Sequence, residues 1–544
     1  MKLPLTPAVA VATQIGSEMP ATVVAKDVVR APGSQRALRQ AVLSYVVFTV
    51  LTALYLLPFM RIMLPHSNEG TLIYGAERIA QGDVFARDFF EVMGPGSFYI
   101  MALFFKVFGI TFLATRIWLF CSSLGIALSV YFLARRVCAR NTILPCLVMA
   151  GTWFGMQWPS VSHHVDSNLF ALLAVVCLAI WEERRYPLMP YAAGLCAGLT
   201  AWIHQPKGML LLIALLFWCL YGTSYRTGHV ARTGRVLLGF LLVGASACAY
   251  FISRGALTSL FYANVIWPAR NYGAVNKVPY ALGIFSEYWH HWAALQGRVA
   301  GWPIALATVL VIPFLLVALI PAVLLLCGPG LMPRQVKPST LLCLLAGWAI
   351  WLSEIHRMDI YHLAFGCPLL LVVCVGLLDE RESRLAKWTL QVIAISAACL
   401  MTTNLLQAAT ARTVSTRVGT VGVLRPEPVL QFADEHFQRG EEVFFYPYCP
   451  DYYFLTGTRN PTRFSILVYN YNTPAEFQEV VHALEQRRVK WVILDGSFDD
   501  RTLKAVFPGV TPVPAKAQII EPYLQSRYRQ IARMEGFRIL QRND

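Results

Sequence analysis

Apolar stretches of about 17–25 residues recur along the chain, divided by short polar loops. That is the pattern of helices cut to the thickness of a bilayer. The first runs from about Ala41 to Met63 and the last from about Trp388 to Leu405, and the whole pattern predicts about eleven transmembrane helices. The second of them lies between Pro95 and Arg135. The stretches are continuous rather than alternating over ten residues, which excludes the strands of a membrane barrel. Residues 1–40 ahead of the first span are polar with scattered small residues. They lack the apolar core of a signal peptide and read as a cytoplasmic tail, with the first span as an uncleaved anchor.

The pattern changes after the last span. Residues 406–544 carry charges, prolines and short alternating apolar runs. Val443-Phe444-Phe445 and Trp491-Val492-Ile493-Leu494 read as strands. Pro474 to Arg487 reads as an amphipathic helix with Phe477, Val480, Val481 and Leu484 on one face. Strand and helix in alternation predict a small α/β domain. The expected fold is therefore an all-α polytopic membrane domain over 41–405 followed by an extracytoplasmic α/β domain over 406–544.

Lysine and arginine set the orientation. Arg30, Arg36 and Arg39 precede the first span, so the N-terminus is expected inside. The loops at Arg135 to Arg140, Arg184-Arg185, Arg226 to Arg235, Arg334 to Lys337 and Arg381 to Lys387 are also basic. They fall after every second span, a self-consistent alternation. The loops 64–96, 158–166, 204–207, 254–302 and 354–362 then face outward together with the C-terminal domain.

Composition supports the same class. Of 544 residues, 56% are hydrophobic and 14% charged, against about 25% charged in a soluble domain; mean hydropathy is +0.51. The net charge of +15 raises the question of nucleic acid, but much of it lies in the short loops that set orientation, and no nucleic-acid partner is expected. Most of the 13 cysteines, Cys177, Cys219, Cys248, Cys343 and Cys374 among them, lie inside apolar spans and act as small hydrophobes. None is paired at zinc-ligand spacing. Cys449 alone sits in a clearly polar outward region, so no intrachain disulfide is expected there.

The candidate chemistry gathers in the outward loops. Glu69, Glu77, Asp83, Asp88 and Glu91 crowd into the first, where a carboxylate near an apolar wall can accept a proton, or simply be solvated. The second contains Ser162-His163-His164-Val165-Asp166: polar lining for a sugar or phosphate, metal ligands, or histidines facing headgroups. Adjacent histidines on a helix point apart, which argues against a metal shared by that pair. In the third, His204-Gln205-Pro206-Lys207 offers a compact ammonium for a phosphate, or a lysine snorkelling at a helix end. The long fourth loop is aromatic and basic around Trp267 to Tyr272, with Arg270, and runs to His290-His291. Such a loop can stack on a sugar or form an interfacial belt. The fifth, Glu354 to His362, contributes Arg357, Asp359 and His362, suited to phosphate oxygens or to an ion-paired loop.

The run EGTLIYGAERIAQGDVFARDFFEVMGPGSFY resembles the first outer loop of GT-C glycosyltransferases, in the branch that contains protein O-mannosyltransferases, the lipid A aminoarabinose transferase and bacterial family 39 proteins. In that branch an acidic pair opens the loop, followed by an Arg-Asp-Phe-like element and a Pro-Gly turn. Glu69 matches the second acidic position, while Asn68 stands at the first, a departure. Asp88 matches the aspartate after arginine, with a role in fixing the loop through Arg87 or Arg78. The fifth loop resembles the branch's Arg-x-Asp-x-x-His element, and Pro447 to Gly457 its tail domains.

The resemblance implies a GT-C-like fold in the cell membrane, the inner membrane of a bacterium, with an extracytoplasmic site. It implies transfer of a sugar from a polyprenyl-phosphate donor to a lipid, glycan or protein acceptor, with inversion. Glu69 would orient or deprotonate the acceptor hydroxyl, and Lys207, Arg357 or a histidine would stabilise the departing phosphate. A divalent cation is left open, with Glu69 and Asp166 as its ligands if one binds. Two other readings stay open: a transporter or flippase of a lipid-linked or small solute, and a non-catalytic GT-C relative. Transporters place ionisable residues inside their spans, whereas these charges gather in outward loops.

Overall fold

In the computed structural model, the described residues are 32–64, 68–154, 159–224, 227–272, 278–282, 320, 337–354, 357–496 and 513–544. The chain divides into two compact units, Met1–Val50 and Leu51–Asp544. The first, as far as it is described, is the start of helix α1 (Pro32–Leu56).

The hydropathy pattern is realised as helices. Among the described residues six are long and apolar enough to cross a membrane: Leu38–Arg61, Phe112–Val137, His163–Arg184, Gln205–Gly222, His229–Ser253 and Arg384–Ala409. Shorter apolar helices cover Gly96–Phe108, Met189–Ile203, Pro338–Leu352 and Pro368–Asp379. The chain is a multi-pass membrane protein. Apart from Ile320, the expected span between Trp302 and Arg334 lies outside the described residues, as do His290 and His291.

One expected span is two helices. After α2 (Asn68–Ala80) come α3 (Gly96–Phe108) and α4 (Phe112–Val137). Gly109, at φ +82°, ends the first, and the Thr111 hydroxyl caps the second by accepting from the Ala114 N–H. A single helix over that length would also exceed what a bilayer requires.

Helices α5 (Leu144–Thr152), α6 (His163–Arg184), α7 (Met189–Ile203), α8 (Gln205–Phe217) and α9 (His229–Ser253) follow. Helix α6 packs on α7, and α7 on α9. The last contact is backbone-close, because a Cβ on Gly194 would lie 2.0 Å from the Val236 carbonyl oxygen. Small residues permit such an approach where lipid provides no hydrophobic drive.

The C-terminal region is an α/β domain, as its strand and helix patterns predict. Strands β1 (Val278–Leu282) and β2 (Arg357–Asp359) pair in parallel, and β3 (Arg412–Thr416) and β4 (Gly419–Val423) form a hairpin. The main sheet holds β5 (Val443–Tyr446), β6 (Trp491–Asp495), β7 (Tyr528–Met534) and β8 (Phe537–Arg542) in the order β5-β6-β8-β7. β5 and β6 are parallel, and the helix Pro474–Gln486 connects them. It starts with a capping box between Thr473 and Glu476 and buries Phe477, Val480 and Leu484.

The first outer loop is built into this domain rather than left in solvent. The Phe90 N–H donates to the Arg463 carbonyl at 2.8 Å, and the Phe90 ring lies against Phe464 and Trp267. A Cβ on Gly70 would come within 2.3 Å of the Asp451 backbone nitrogen. Glu91 is enclosed at this junction at 4% exposure, and burial pushes its carboxyl up to about 8.

The sign of that shift gives a test. A carboxyl raised in the folded state favours folding while protonated, and this contribution is lost as pH rises toward the folded value. The Glu91 contribution to stability should therefore decline between about pH 4.5 and 8, the range spanned by its shift. Glu91→Gln should flatten the decline and be the more stable at pH above 8. Thermal unfolding across that range reads it, and an unchanged pH profile in the variant would refute the assignment.

Candidate functional site

Glu69 sits in the first turn of α2 with its side chain at 0% exposure, opposite Arg116 of α4 at 3%. Arg116 Nη1 donates to Oε1 at 2.8 Å and Nη2 to Oε2 at 2.9 Å, a bidentate pair. The Val161 N–H adds a third bond to Oε1 at 2.8 Å, and Arg116 also holds the Pro159 carbonyl at 3.0 Å. The guanidinium lies over the Phe112 ring. Glu69 thus ties the first outer loop to α4 and to the segment entering α6. Both oxygens are engaged, so work as a base requires one of them to be released from Arg116.

Asn68, at the position where the resembled loops carry an acid, accepts a hydrogen bond from the Tyr448 hydroxyl of the C-terminal domain. Asp88 is paired with Arg87 at 2.8 Å and accepts the Val84 N–H at 2.7 Å. Those bonds, Arg87 foremost, hold its carboxyl below the ordinary range. Arg78 donates to the Asp88 carbonyl and pairs with Asp83. Asp88 therefore shapes the loop.

The described parts of the second, third and fifth loops that are expected to face outward converge. The Ser162 hydroxyl caps α6 by accepting from the His164 N–H, which sets His163 and His164 in the first turn. Their rings do not diverge: the centroids are 4.1 Å apart. The helical expectation is overridden because other rings draw both imidazoles together. His204 lies 5.9 Å from His163 and 5.7 Å from His164. His362 is 4.7 Å from His164, and Phe365 stacks on it.

His204 joins α7 to α8. Its N–H closes the last turn of α7 on Thr200, and its ring nitrogen caps α8 by accepting from the Lys207 N–H. Burial, with Lys207 and other imidazoles nearby, pushes His204 down to about 3, so it is neutral at physiological pH. Lys207 is itself at 0% exposure. Its ammonium is 3.0 Å from Glu354 Oε1 and 3.1 Å from the Ser167 hydroxyl. Burial works against the Glu354 carboxylate, but the Lys207 ammonium above all outweighs it and holds the group well below its ordinary value.

Asp359 organises the fifth loop. Its Oδ2 takes Arg357 Nε at 2.9 Å, and its Oδ1 takes His362 Nδ1 at 2.7 Å and the His362 N–H at 3.0 Å. Burial again opposes the charge, yet these bonds keep the carboxyl at about 2. Tyr272, from the fourth loop, is half-buried within electrostatic range of Arg357, Glu354 and Asp359.

Two expected site residues stand apart. Asp166 is buried but accepts a hydrogen bond from Trp118 of α4 at 2.8 Å. Arg270 is exposed and makes no hydrogen bond or ion pair among the described residues. Neither Glu69 nor Asp166 belongs to the one group of described side chains with metal-ligand spacing, His164, Glu354 and His362.

Sequence reasoning missed Arg116, Ser167, Glu354 and Tyr448 as parts of the site. Arg116 carried a usable signal, since an arginine within an apolar span implies a partner. Glu354 heads a loop whose partner, Lys207, lies 147 positions away, and no local pattern joins them.

No family model matches the chain, and no curated protein matches its sequence. Solved structures do match. ArnT from Cupriavidus metallidurans bound to undecaprenyl phosphate superposes with a TM-score of 0.54 at 12% identity, covering 92% of this chain and 98% of that one. The same protein in its apo state gives 0.56 at 12% identity, covering 93% and 98%. The chain thus carries the polytopic fold of ArnT, in agreement with the GT-C-like architecture that the first outer loop implies.

The Glu69–Arg116 pair can be tested by a double-mutant cycle. Glu69→Gln leaves a buried guanidinium uncompensated and should lower stability by about 3–5 kcal/mol. Glu69→Gln combined with Arg116→Met should recover much of that loss. Additive losses, measured by unfolding in detergent, would mean the two groups are not coupled.

Proposed function

We propose that this chain is a membrane glycosyltransferase that moves a sugar from a polyprenyl-phosphate donor to a lipid, glycan or protein acceptor on the extracytoplasmic face. The observation that carries the proposal is the fold shared with ArnT over almost the full length of both chains. That relative was crystallised with undecaprenyl phosphate, the class of carrier proposed here. A lipid carrier also suits the chemistry, since its tail partitions into the bilayer while the sugar phosphate meets the loops.

The reaction is a single displacement. The acceptor oxygen attacks the anomeric carbon opposite the phosphate, the carbon–oxygen bond to phosphate breaks, and its electron pair stays on the phosphate. Inversion follows. Lys207 and Arg357 are the cations proposed to stabilise that departing charge, with His163, His164, His204 and His362 as neutral partners for sugar or phosphate oxygens. Lys207 now faces Glu354, so meeting a phosphate requires it to exchange partners. Glu69 is proposed to receive the acceptor's proton only after its pair with Arg116 opens, and otherwise to hold the loop in place. Asp88 is proposed to keep the loop's shape through Arg87.

Purified protein in lipid nanodiscs should convert a polyprenyl-phosphate sugar to polyprenyl phosphate and leave a nucleotide sugar untouched. Lys207→Met should lower kcat by about 10²–10³-fold, the usual loss when one group that stabilises developing negative charge is removed. Turnover of a nucleotide sugar with none of the lipid donor would overturn the proposal.

A further inference from the structure

His164 stands 190 positions before Glu354 in the sequence, yet the ligand atoms of His164, Glu354 and His362 all lie within 4.8 Å of one another. His164 Nδ1 is buried, makes no hydrogen bond, and faces Glu354 Oε1 at 3.5 Å. His362 gives its Nδ1 to Asp359 at 2.7 Å, which leaves Nε2 as its free nitrogen. We infer that His164, Glu354 and His362 form a binding site for a divalent transition ion of the zinc class.

The geometry fits. Ligands about 2.1 Å from a tetrahedral ion stand about 3.4 Å apart. His164 and Glu354 already meet that separation at 3.5 Å. The widest spacing within the group, at most 4.8 Å, closes by no more than about 1.4 Å to reach that separation. Two imidazoles and one carboxylate select zinc, cobalt or nickel over magnesium and calcium, which prefer oxygen. The Asp359–His362 bond is the carboxylate–imidazole arrangement that fixes the tautomer and orientation of a ligating histidine. Three protein ligands leave a fourth position open, as in sites that bind water or a substrate oxygen. The positive end of α6 lies close to His164, which disfavours a cation, and the charges of Glu354 and Asp359 offset it.

Lys207 accounts for the stability of the site without an ion. Its ammonium, 3.0 Å from Glu354 Oε1, already supplies one positive charge to a buried carboxylate. A metal on Glu354 replaces that ion pair and leaves Lys207 with the Ser167 hydroxyl alone. Ammonium and metal therefore compete for one carboxylate. Removing the ammonium favours the metal.

The test needs no turnover and so stands apart from the proposed reaction. Full-length protein in nanodiscs is stripped with EDTA, titrated with zinc or cobalt chloride, desalted and measured for metal content. Wild type should retain one ion per chain, and cobalt should give the visible bands of a low-coordinate site with nitrogen ligands. Asp359→Asn should weaken binding about 10–100-fold, and His164→Gln with His362→Gln should abolish it. Lys207→Met should bind at least about tenfold more tightly, because a like charge beside the ion is gone. That gain distinguishes a metal site from a merely structural cluster, which Lys207→Met would only weaken. Absence of retained metal in both wild type and Lys207→Met, each folded by its thermal unfolding, overturns the inference. Metal binding without donor turnover would count against the transferase reading alone, and the reverse result against the metal site alone.

Discussion

A carboxylate and a guanidinium that are both closed off from water must face each other, and the Glu69–Arg116 pair imposes that condition on everything around it. Glu69 opens the first outer loop, Arg116 lies in the first turns of a membrane span, and Val161 leads into the next polar helix start. Three bonds to one carboxylate fix their mutual positions. The start of α6 is held there, and with it His163 and His164. The same loop is clamped from its other side by the C-terminal domain through Tyr448, Asp451 and Arg463. An acidic residue that looks catalytic in isolation becomes the fastening between the loop and the membrane helices.

Against that fastening the outward loops assemble a centre of unusual balance. Lys207 and Arg357 are positive, Glu354 and Asp359 negative, and His204 is held neutral by burial. Each charge has a partner, so the cluster is tolerable at this burial. In the proposed reaction a phosphate takes Lys207 from Glu354, and in the inferred metal site an ion takes Glu354 from Lys207. Such exchangeable pairs distinguish this cluster from the bidentate Glu69–Arg116 pair, whose bonds are all directed inward.

The architecture was legible wherever one local pattern decides it. Apolar runs predicted the spans, and alternation predicted β5, β6 and the helix after Thr473, including its buried Phe477, Val480 and Leu484. The division of the second span at Gly109 was less visible, because a glycine and a threonine interrupt the apolar run only briefly. For the site, local motifs picked out His163, His164, His204, Lys207, Asp359 and His362, which the fold brings close together. They did not show that Glu354 belongs to Lys207, or Arg116 to Glu69, since those pairs depend on helix packing between distant parts of the chain. The two histidines were expected to diverge, and tertiary contacts with His204, His362 and Phe365 turned them toward one another.

The central claim is that these converging loops receive the phosphate of a lipid carrier. A polyprenyl phosphate bearing a photoreactive group beside the phosphate, cross-linked to the protein in nanodiscs and mapped by peptide mass spectrometry, tests it most directly. The account predicts adducts within residues 159–169, 204–208 and 357–365, and their loss when unlabelled polyprenyl phosphate competes. Adducts confined to the lipid-facing surfaces of α1 and α9, unaffected by the competitor, would contradict it.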